Sequence, residues 1–255
     1  MSTSMTPPFL SIIIPAYNEA DRIGKSLGAI RRFADESDFS VEIIVVDDGS
    51  ADQMPAHLDR LARAWPALTI LRNETNRGKG YSVRRGALAS RGQCLLVTDA
   101  DLSTPIEEAR HLMSAMESSS ADAVVGSRAL NRSLTDVRQP RFREYSGRTF
   151  NLFVRLFTGL DIHDTQCGFK LFRRETTKRA FEMQRSRRFG FDPELLFLIR
   201  WFGGRIAEVP VRWDNDPATK VRFVRDSARM FADLALLRWR AWRGVYGPEG
   251  AGSRH

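Results

Sequence analysis

Short β-branched apolar runs alternate with amphipathic stretches through the first half of the chain. Leu10 to Pro15 reads LSIIIP, a run typical of a strand buried on both faces. Ile23, Leu27 and Ile30 then recur at i, i+4 and i+7, the spacing of one helix face. Val41 to Val46 predicts a second buried strand, stopped by Asp47-Asp48-Gly49-Ser50. A helix is expected over Asp52 to Ala64, a third strand over Leu68 to Leu71, and a helix over Tyr81 to Ser90 after the loop Asn76-Arg77-Gly78-Lys79-Gly80. Cys94 to Thr98 predicts a fourth strand, broken by Asp99-Ala100-Asp101. Pro105 belongs near the first turn of the next helix, where a missing N–H costs little. Ala123 to Val125 begins a fifth strand.

The second half is less regular. Arg138 to Arg148 is strongly basic, with a helix expected to follow through Phe157. Strands are expected at Phe169 to Phe172 and Ala207 to Trp213, and helices at Pro193 to Trp201 and Val224 to Trp242. Asn215 to Thr219 reads as a turn-rich loop. The last helix carries Met230, Leu234, Leu237 and Ala241 on one stripe. Residues 1–8 and the Gly-rich tail from Gly244 are expected to be disordered. The βαβα alternation implies an α/β fold with a mostly parallel sheet and helices on both faces. In such sheets ligands bind beyond the carboxyl ends of the strands. Tyr17 to Glu19, Asp47-Asp48, Asn76 to Gly80 and Asp99 to Asp101 would all gather there.

At 255 residues the chain suits one large domain. The net charge of +8 and pI of about 10.1 come mostly from arginine, and the excess rises after Arg128. Such a balance favours nucleic acid, an anionic membrane or a phosphorylated substrate. Cys94 and Cys167 form neither a disulfide framework nor a zinc spacing, so a reducing compartment is expected. Met1 to Pro8 lacks the features of a signal peptide. No segment reaches the roughly 18–20 apolar residues of a membrane span.

The carboxylates Asp99 and Asp101, one residue apart at a strand end, can both reach a divalent cation if the chain turns there. Such a cation neutralises a diphosphate leaving group. Alone, the pair reads more simply as a solvated turn with a helix cap. Asp48 could accept hydrogen bonds from a base or ribose while Gly49 permits a tight turn; a plain turn is again the simpler reading. Asn76 to Gly80 offers backbone and cations suited to phosphate, but it lacks the P-loop spacing. Order changes the weight of these signals: each motif ends or follows a predicted strand, as does Pro15-Ala16-Tyr17-Asn18-Glu19.

Together with Gly126-Ser127-Arg128, these strings resemble the inverting family 2 glycosyltransferases, and most of all the dolichyl/polyprenyl-phosphate hexose synthases. The string Asp164-Thr165-Gln166-Cys167-Gly168-Phe169-Lys170-Leu171-Phe172 resembles the dolichyl-phosphate β-glucosyltransferases rather than the mannosyl enzymes. The resemblance runs from about Leu10 to Arg240. It implies a GT-A fold over residues 9–243, with a nucleotide-sugar half (9–128) and an acceptor half (129–243) that ends in an amphipathic helix. It also implies a donor site of Pro15, Tyr17, Glu19, Asp47, Asp48, Gly78, Lys79, Asp99, Ala100, Asp101, Lys220 and Arg225. Asp99 and Asp101 would hold Mg²⁺ or Mn²⁺. Ser103 stands where some relatives supply a further Gln ligand, so water would complete the shell. Arg128, Arg143, Ser146 and Gln166 would bind the acceptor phosphate, and Asp101 and Arg128 would carry catalysis. Asp164 and Asp192 are available as bases, or to orient an arginine or cap a helix.

The implied reaction moves a hexose, glucose from UDP-glucose, onto a polyprenyl or dolichyl phosphate. GDP-mannose is the alternative donor, and a non-catalytic nucleotide-sugar binder the alternative class. Nucleic acid is not expected, since no matching signature accompanies the charge. A Rossmann oxidoreductase is disfavoured by the absence of G-x-G-x-x-G after the first strand. Arg225, Arg229, Arg238, Arg240 and Arg243 with Trp239 and Trp242 on the last helix suit a membrane interface. A peripheral place on the cytoplasmic membrane face is the resulting expectation; a helix packed on the core with solvated arginines is the competing one.

Overall fold

The computed structural model describes residues 6–130, 151–214 and 223–247, with side chains of the last segment described from residue 231. Arg143, Ser146, Lys220, the Asn215 to Thr219 loop and the Arg138 to Arg148 stretch lie outside the described residues, as does the side chain of Arg225.

The expected strands form. β1 (Leu10–Ala16) is buried throughout, and β2 (Val41–Asp47) nearly so. β3 (Leu68–Arg72) and β4 (Cys94–Val97) join them in a parallel set, with Leu10 opposite both Val41 and Cys94. β5 (Ala123–Ser127) and β7 (Ile206–Pro210) pair in parallel beyond them. Between the two sets runs β6 (Lys170–Arg173), antiparallel to both β4 and β5. The sheet order is β3-β2-β1-β4-β6-β5-β7. Because Val97 and Val125 both lie opposite Lys170, the segment entering β6 emerges at the carboxyl ends of β4 and β5. One reversed strand thus delivers the 164–169 string to the edge that carries Asp99 to Asp101 and Arg128.

Side chains alternate across this sheet. Ile12, Ile14, Ile43 and Val45 face one layer, where α1 (Ala20–Asp35), α2 (Met54–Ala64) and α4 (Glu108–Ser119) bury Ile23, Leu27, Ile30, Leu58 and Leu112. Ile13, Leu95 and Val97 face the other. There α3 (Lys79–Ala89), α6 (Arg174–Met183), α7 (Phe191–Trp201) and α8 (Phe223–Trp242) contribute Val83, Phe181, Leu196 and Leu237. Residues 151–158 form α5, whose Val154 joins Leu234 and Phe231 of α8 in a small satellite cluster.

Several boundaries differ from expectation for local reasons. Asp52 precedes α2 and accepts the Met54 N–H on its side chain, 3.0 Å. Residues 105–107 form turns ahead of α4, with Glu108 N–H donating to the Pro105 carbonyl. β7 stops at Pro210 rather than Trp213, since proline cannot continue the ladder. Helix α6 follows β6 without a break and was not expected. The tail is a correction: Gly244–Gly247 is ordered. Tyr246 is fully buried, and its hydroxyl donates to Glu194 Oε1 at 2.7 Å. The same carboxylate accepts the Arg185 and Ser186 amides on Oε2.

Tyr246→Phe removes a buried hydrogen bond to a charged acceptor. We expect a loss of about 1–2 kcal/mol, read as a melting temperature lower by about 2–8 °C.

Candidate active site

The first two loops are stitched together at the sheet edge. Asn18, in the left-handed region at φ 53°, donates its amide to Ser50 Oγ at 2.9 Å and accepts the Ala51 amide on Oδ1 at 2.9 Å. Asp47 accepts the Ser50 amide at 3.0 Å. Pro15 lies in β1 opposite Val46, Tyr17 is exposed, and Glu19 pairs with Arg22 at 2.6 Å. Asp48 is buried beneath this layer. Its Oδ1 accepts Asn73 Nδ2 at 2.6 Å and the Arg77 amide at 2.9 Å. Its Oδ2 accepts the Gly78 amide at 2.8 Å. The carboxylate expected to meet the nucleotide base therefore also shapes the Asn76 to Gly80 loop.

Gly78 adopts φ 98°, and a Cβ there would lie 2.4 Å from the Arg187 carbonyl oxygen. Only glycine fits. Directly after it, Lys79 opens α3 and sets Nζ 2.5 Å from Asp99 Oδ1. Burial works to lower the Lys79 pKa, but Asp99, Asp192 and Asp101 outweigh it and leave it raised. For Asp99 burial acts upward, yet pairing with Lys79 and the fields of Lys170 and Arg128 hold it below the usual carboxylate range. Asp101 is raised, first by burial and then by the like charge of Asp99; its contacts with Ser103 and the field of Arg22 offset part of this. Ala100 is fixed between them, its carbonyl accepting Ser26 Oγ from α1 at 2.7 Å.

The segment entering β6 closes the other side. Gly168 packs so tightly on Asp99 that a Cβ would lie 2.0 Å from Oδ2. Lys170 is buried in the sheet, where it donates to the Cys167 carbonyl at 2.5 Å and forms an ion pair with Asp192 of α7. Burial pushes the Asp192 carboxyl up, against the pull of Lys170 and Lys79. Arg128, just after β5, grips Asp164 through Nε at 2.7 Å and Nη2 at 2.8 Å, and through its own amide at 3.1 Å. Burial raises the carboxyl pKa of Asp164, but Arg128 outweighs it and holds the group low. The Asp164 amide is anchored by Glu208 of β7 at 2.8 Å, and Thr165 Oγ1 donates to Asn151 Oδ1 of α5 at 3.0 Å. Gln166 is half-buried in the same string. Burial, then the neighbouring Asp164, pushes the Cys167 thiol up to about 11, so it is an inert thiol at neutral pH.

Asp48, Lys79, Asp99, Asp101 and Arg128 are thus brought to one edge. Asp164 orients an arginine and Asp192 pairs with a lysine. Lys170 was not singled out from the sequence; its signal was a cation inside the otherwise apolar run Phe169 to Phe172. Among the described residues no set of three His, Cys, Asp or Glu side chains forms a metal cage. The oxygen pair Asp99 and Asp101 still fits a hard divalent cation that shares its shell with phosphate and water. The mutual repulsion recorded in Asp101 is what such a cation relieves.

Because Asp164 has a lowered pKa in the folded state, its contribution to stability is present above the unfolded carboxylate value and is lost as pH falls through the folded one. Comparing wild type with Asp164→Asn by chemical denaturation, we expect the stability gap to be widest near pH 7. It should shrink as pH falls from about 5 toward 2.

A family model described as Glycosyl transferase family 2 matches residues 11–181. The chain is 35% identical over 249 residues to a dolichyl-phosphate beta-glucosyltransferase of Dictyostelium discoideum, covering 93% of this chain and 76% of that protein. It is 31% identical over 250 residues to the dolichyl-phosphate beta-glucosyltransferase of Homo sapiens, covering 92% and 77%. Among solved structures, mannosyltransferase PcManGT from Pyrobaculum calidifontis, in complex with GDP-Man and Mn²⁺, matches with a TM-score of 0.60 at 22% identity, covering 94% of this chain and 65% of that one. Glucosyl-3-phosphoglycerate synthase from Mycobacterium tuberculosis, in complex with Mn²⁺, UDP and glucosyl-3-phosphoglycerate, matches with a TM-score of 0.63 at 18% identity, covering 96% and 82%. These likenesses establish the GT-A fold. With the family model spanning most of the chain and relatives above 30% identity over most of both lengths, this enzyme belongs to glycosyl transferase family 2.

Proposed function

We propose that the protein transfers glucose from UDP-glucose to a dolichyl or polyprenyl phosphate, with inversion at the anomeric carbon, giving a β-linked lipid-phosphate sugar. The observation that carries this reading is the convergence of Asp99, Asp101 and Lys79 with Arg128 on one sheet edge. The names of the relatives support the acceptor and the sugar.

A phosphate monoester is already anionic near neutral pH, so its oxygen attacks without a general base. The chemical problem is to hold two anions together. Fixed cations in a poorly hydrated site offset their repulsion. Lys79 and Arg128 stand at the edge as candidate cations, each positioned by a carboxylate, and a bound divalent metal would supply the net positive charge. Asp101 and Arg128 carry catalysis in this reading, and Pro15, Tyr17, Glu19, Asp47, Asp48, Gly78 and Ala100 line the donor pocket. A divalent Mg²⁺ or Mn²⁺ on Asp99 and Asp101 would supply Lewis-acid stabilisation of the departing diphosphate. The family resemblance would assign Arg143, Ser146 and Gln166 to the acceptor phosphate and Lys220 and Arg225 to the donor.

The lipid acceptor implies a membrane-bound partner surface, on the cytoplasmic face. No described helix is long and apolar enough to cross a membrane. Helix α5, which carries the Asn151 anchor of the acceptor string, turns Leu152 (55% exposed) and Leu156 (72%) outward. On α8, Trp239 (51%) and Trp242 (80%) are exposed, with Arg243 stacked 5.5 Å over the Trp239 ring. Phe153 of α5 meets Phe231 of α8 edge-on at 5.0 Å, joining the two surfaces. Apolar anchors flanked by arginine suit the headgroup region.

Purified protein incubated with Mg²⁺, a polyprenyl phosphate and a panel of labelled nucleotide sugars is expected to form a glucosylated lipid from UDP-glucose. A mannosylated product from GDP-mannose instead would overturn the donor assignment. Under the same conditions Asp101→Ala should lose about a hundredfold or more in turnover while keeping its circular dichroism spectrum. For the membrane, we expect sedimentation with phosphatidylglycerol vesicles at low salt and release near 1 M salt, where the screening length falls to about 3 Å.

A further inference from the structure

Lys79 and the metal pair contend for one oxygen. Asp99 is backed on its Oδ2 side by Gly168, where a Cβ would lie 2.0 Å away. Its other oxygen, Oδ1, carries the Lys79 ammonium at 2.5 Å. The lysine is the partner with the longer reach. It is an unbranched side chain between Gly78 and Gly80, and its ammonium lies 5.9 Å from the Phe191 ring centroid.

The charges of the site point the same way. Asp164 is neutralised by Arg128 and Asp192 by Lys170. Asp99 and Asp101 remain, against Lys79 alone, which leaves one net negative charge. A divalent cation arriving by itself turns that into one net positive charge, with Lys79 repelled at close range. A diphosphate arriving by itself, with a negative charge on each phosphate, leaves three net negative charges. Arriving together, the two restore the original balance. In a site partly withdrawn from water, uncompensated charge is costly.

We infer that Lys79 is a resident counter-cation of the Asp99–Asp101 pair that a divalent metal displaces onto the donor diphosphate, so that metal and nucleoside diphosphate bind as a coupled pair. The inference rests on the metal reading above and adds a role to Lys79. The resting site keeps its own cation, accepts metal poorly without nucleotide, and recovers the lysine when the nucleotide leaves.

The test is Mn²⁺ binding followed by the electron paramagnetic resonance signal of the free ion, at pH 8, on the whole protein. Without nucleotide, Lys79→Met is expected to bind Mn²⁺ at least fivefold more tightly than wild type. Lys79→Arg, which keeps the charge, should stay within twofold of wild type. Adding UDP should tighten Mn²⁺ strongly in wild type and much less in Lys79→Met. Equal or weaker Mn²⁺ binding by a folded Lys79→Met, judged by its thermal melt, would overturn the displacement. Wild-type protein that binds no Mn²⁺ even with UDP present would overturn the metal assignment itself, and this inference with it.

Discussion

Pairing of charges at the sheet edge, with Asp101 left over, is the constraint on which the rest depends. Asp101, Asp99, Lys79, Asp192 and Lys170 form a run of neighbouring charges, with Arg128 and Asp164 beside it. Lys170, Asp192 and Asp164 are buried and Lys79, Asp99 and Arg128 partly so, and burying a charge is tolerated best beside an opposite one. Every pair here joins elements distant in sequence: Lys79 on α3 with Asp99 after β4, Lys170 on β6 with Asp192 on α7, Arg128 after β5 with Asp164. The chain cannot satisfy these groups without closing the whole edge, so folding and construction of the site are one event.

A second line of support reaches the site from behind. Glu194 on α7 binds Tyr246 with one carboxylate oxygen and the Arg185 and Ser186 amides with the other. That loop in turn accepts the Tyr81 amide on the Arg187 carbonyl and crowds Gly78. Asp48 binds the same Gly78 from the opposite side. The loop bearing Lys79 is thus held by Asp48 directly and by Glu194 of the helical layer through residues 185–187.

Much of this was legible in the sequence because it is local. Continuous apolar runs such as LSIIIP mark strands covered on both faces, and the breaks after them mark the edge where Asp48, Asp99 and Arg128 emerge. What was not legible is pairing over distance. No period in Phe169 to Phe172 tells that the strand runs backwards, since direction is set by neighbours and not by side-chain alternation. Lys170 lies 22 positions from Asp192, with no shared motif to link them. Tyr246 sits in a Gly-containing segment whose composition suggests disorder, and one buried hydroxyl reverses that. No motif signals that the Asp48 carboxylate also accepts the Arg77 amide 29 positions on.

The reversed strand has a consequence for how the protein can be divided. β5 comes from the residues before Arg128, but both of its sheet neighbours, β6 and β7, come from those after it. A break in the chain past Arg128 would leave β5 without a partner and β4 with a bare flank. The residues before and after Arg128 are therefore not separable modules. They are interlaced in one sheet, and neither set completes its strands without the other.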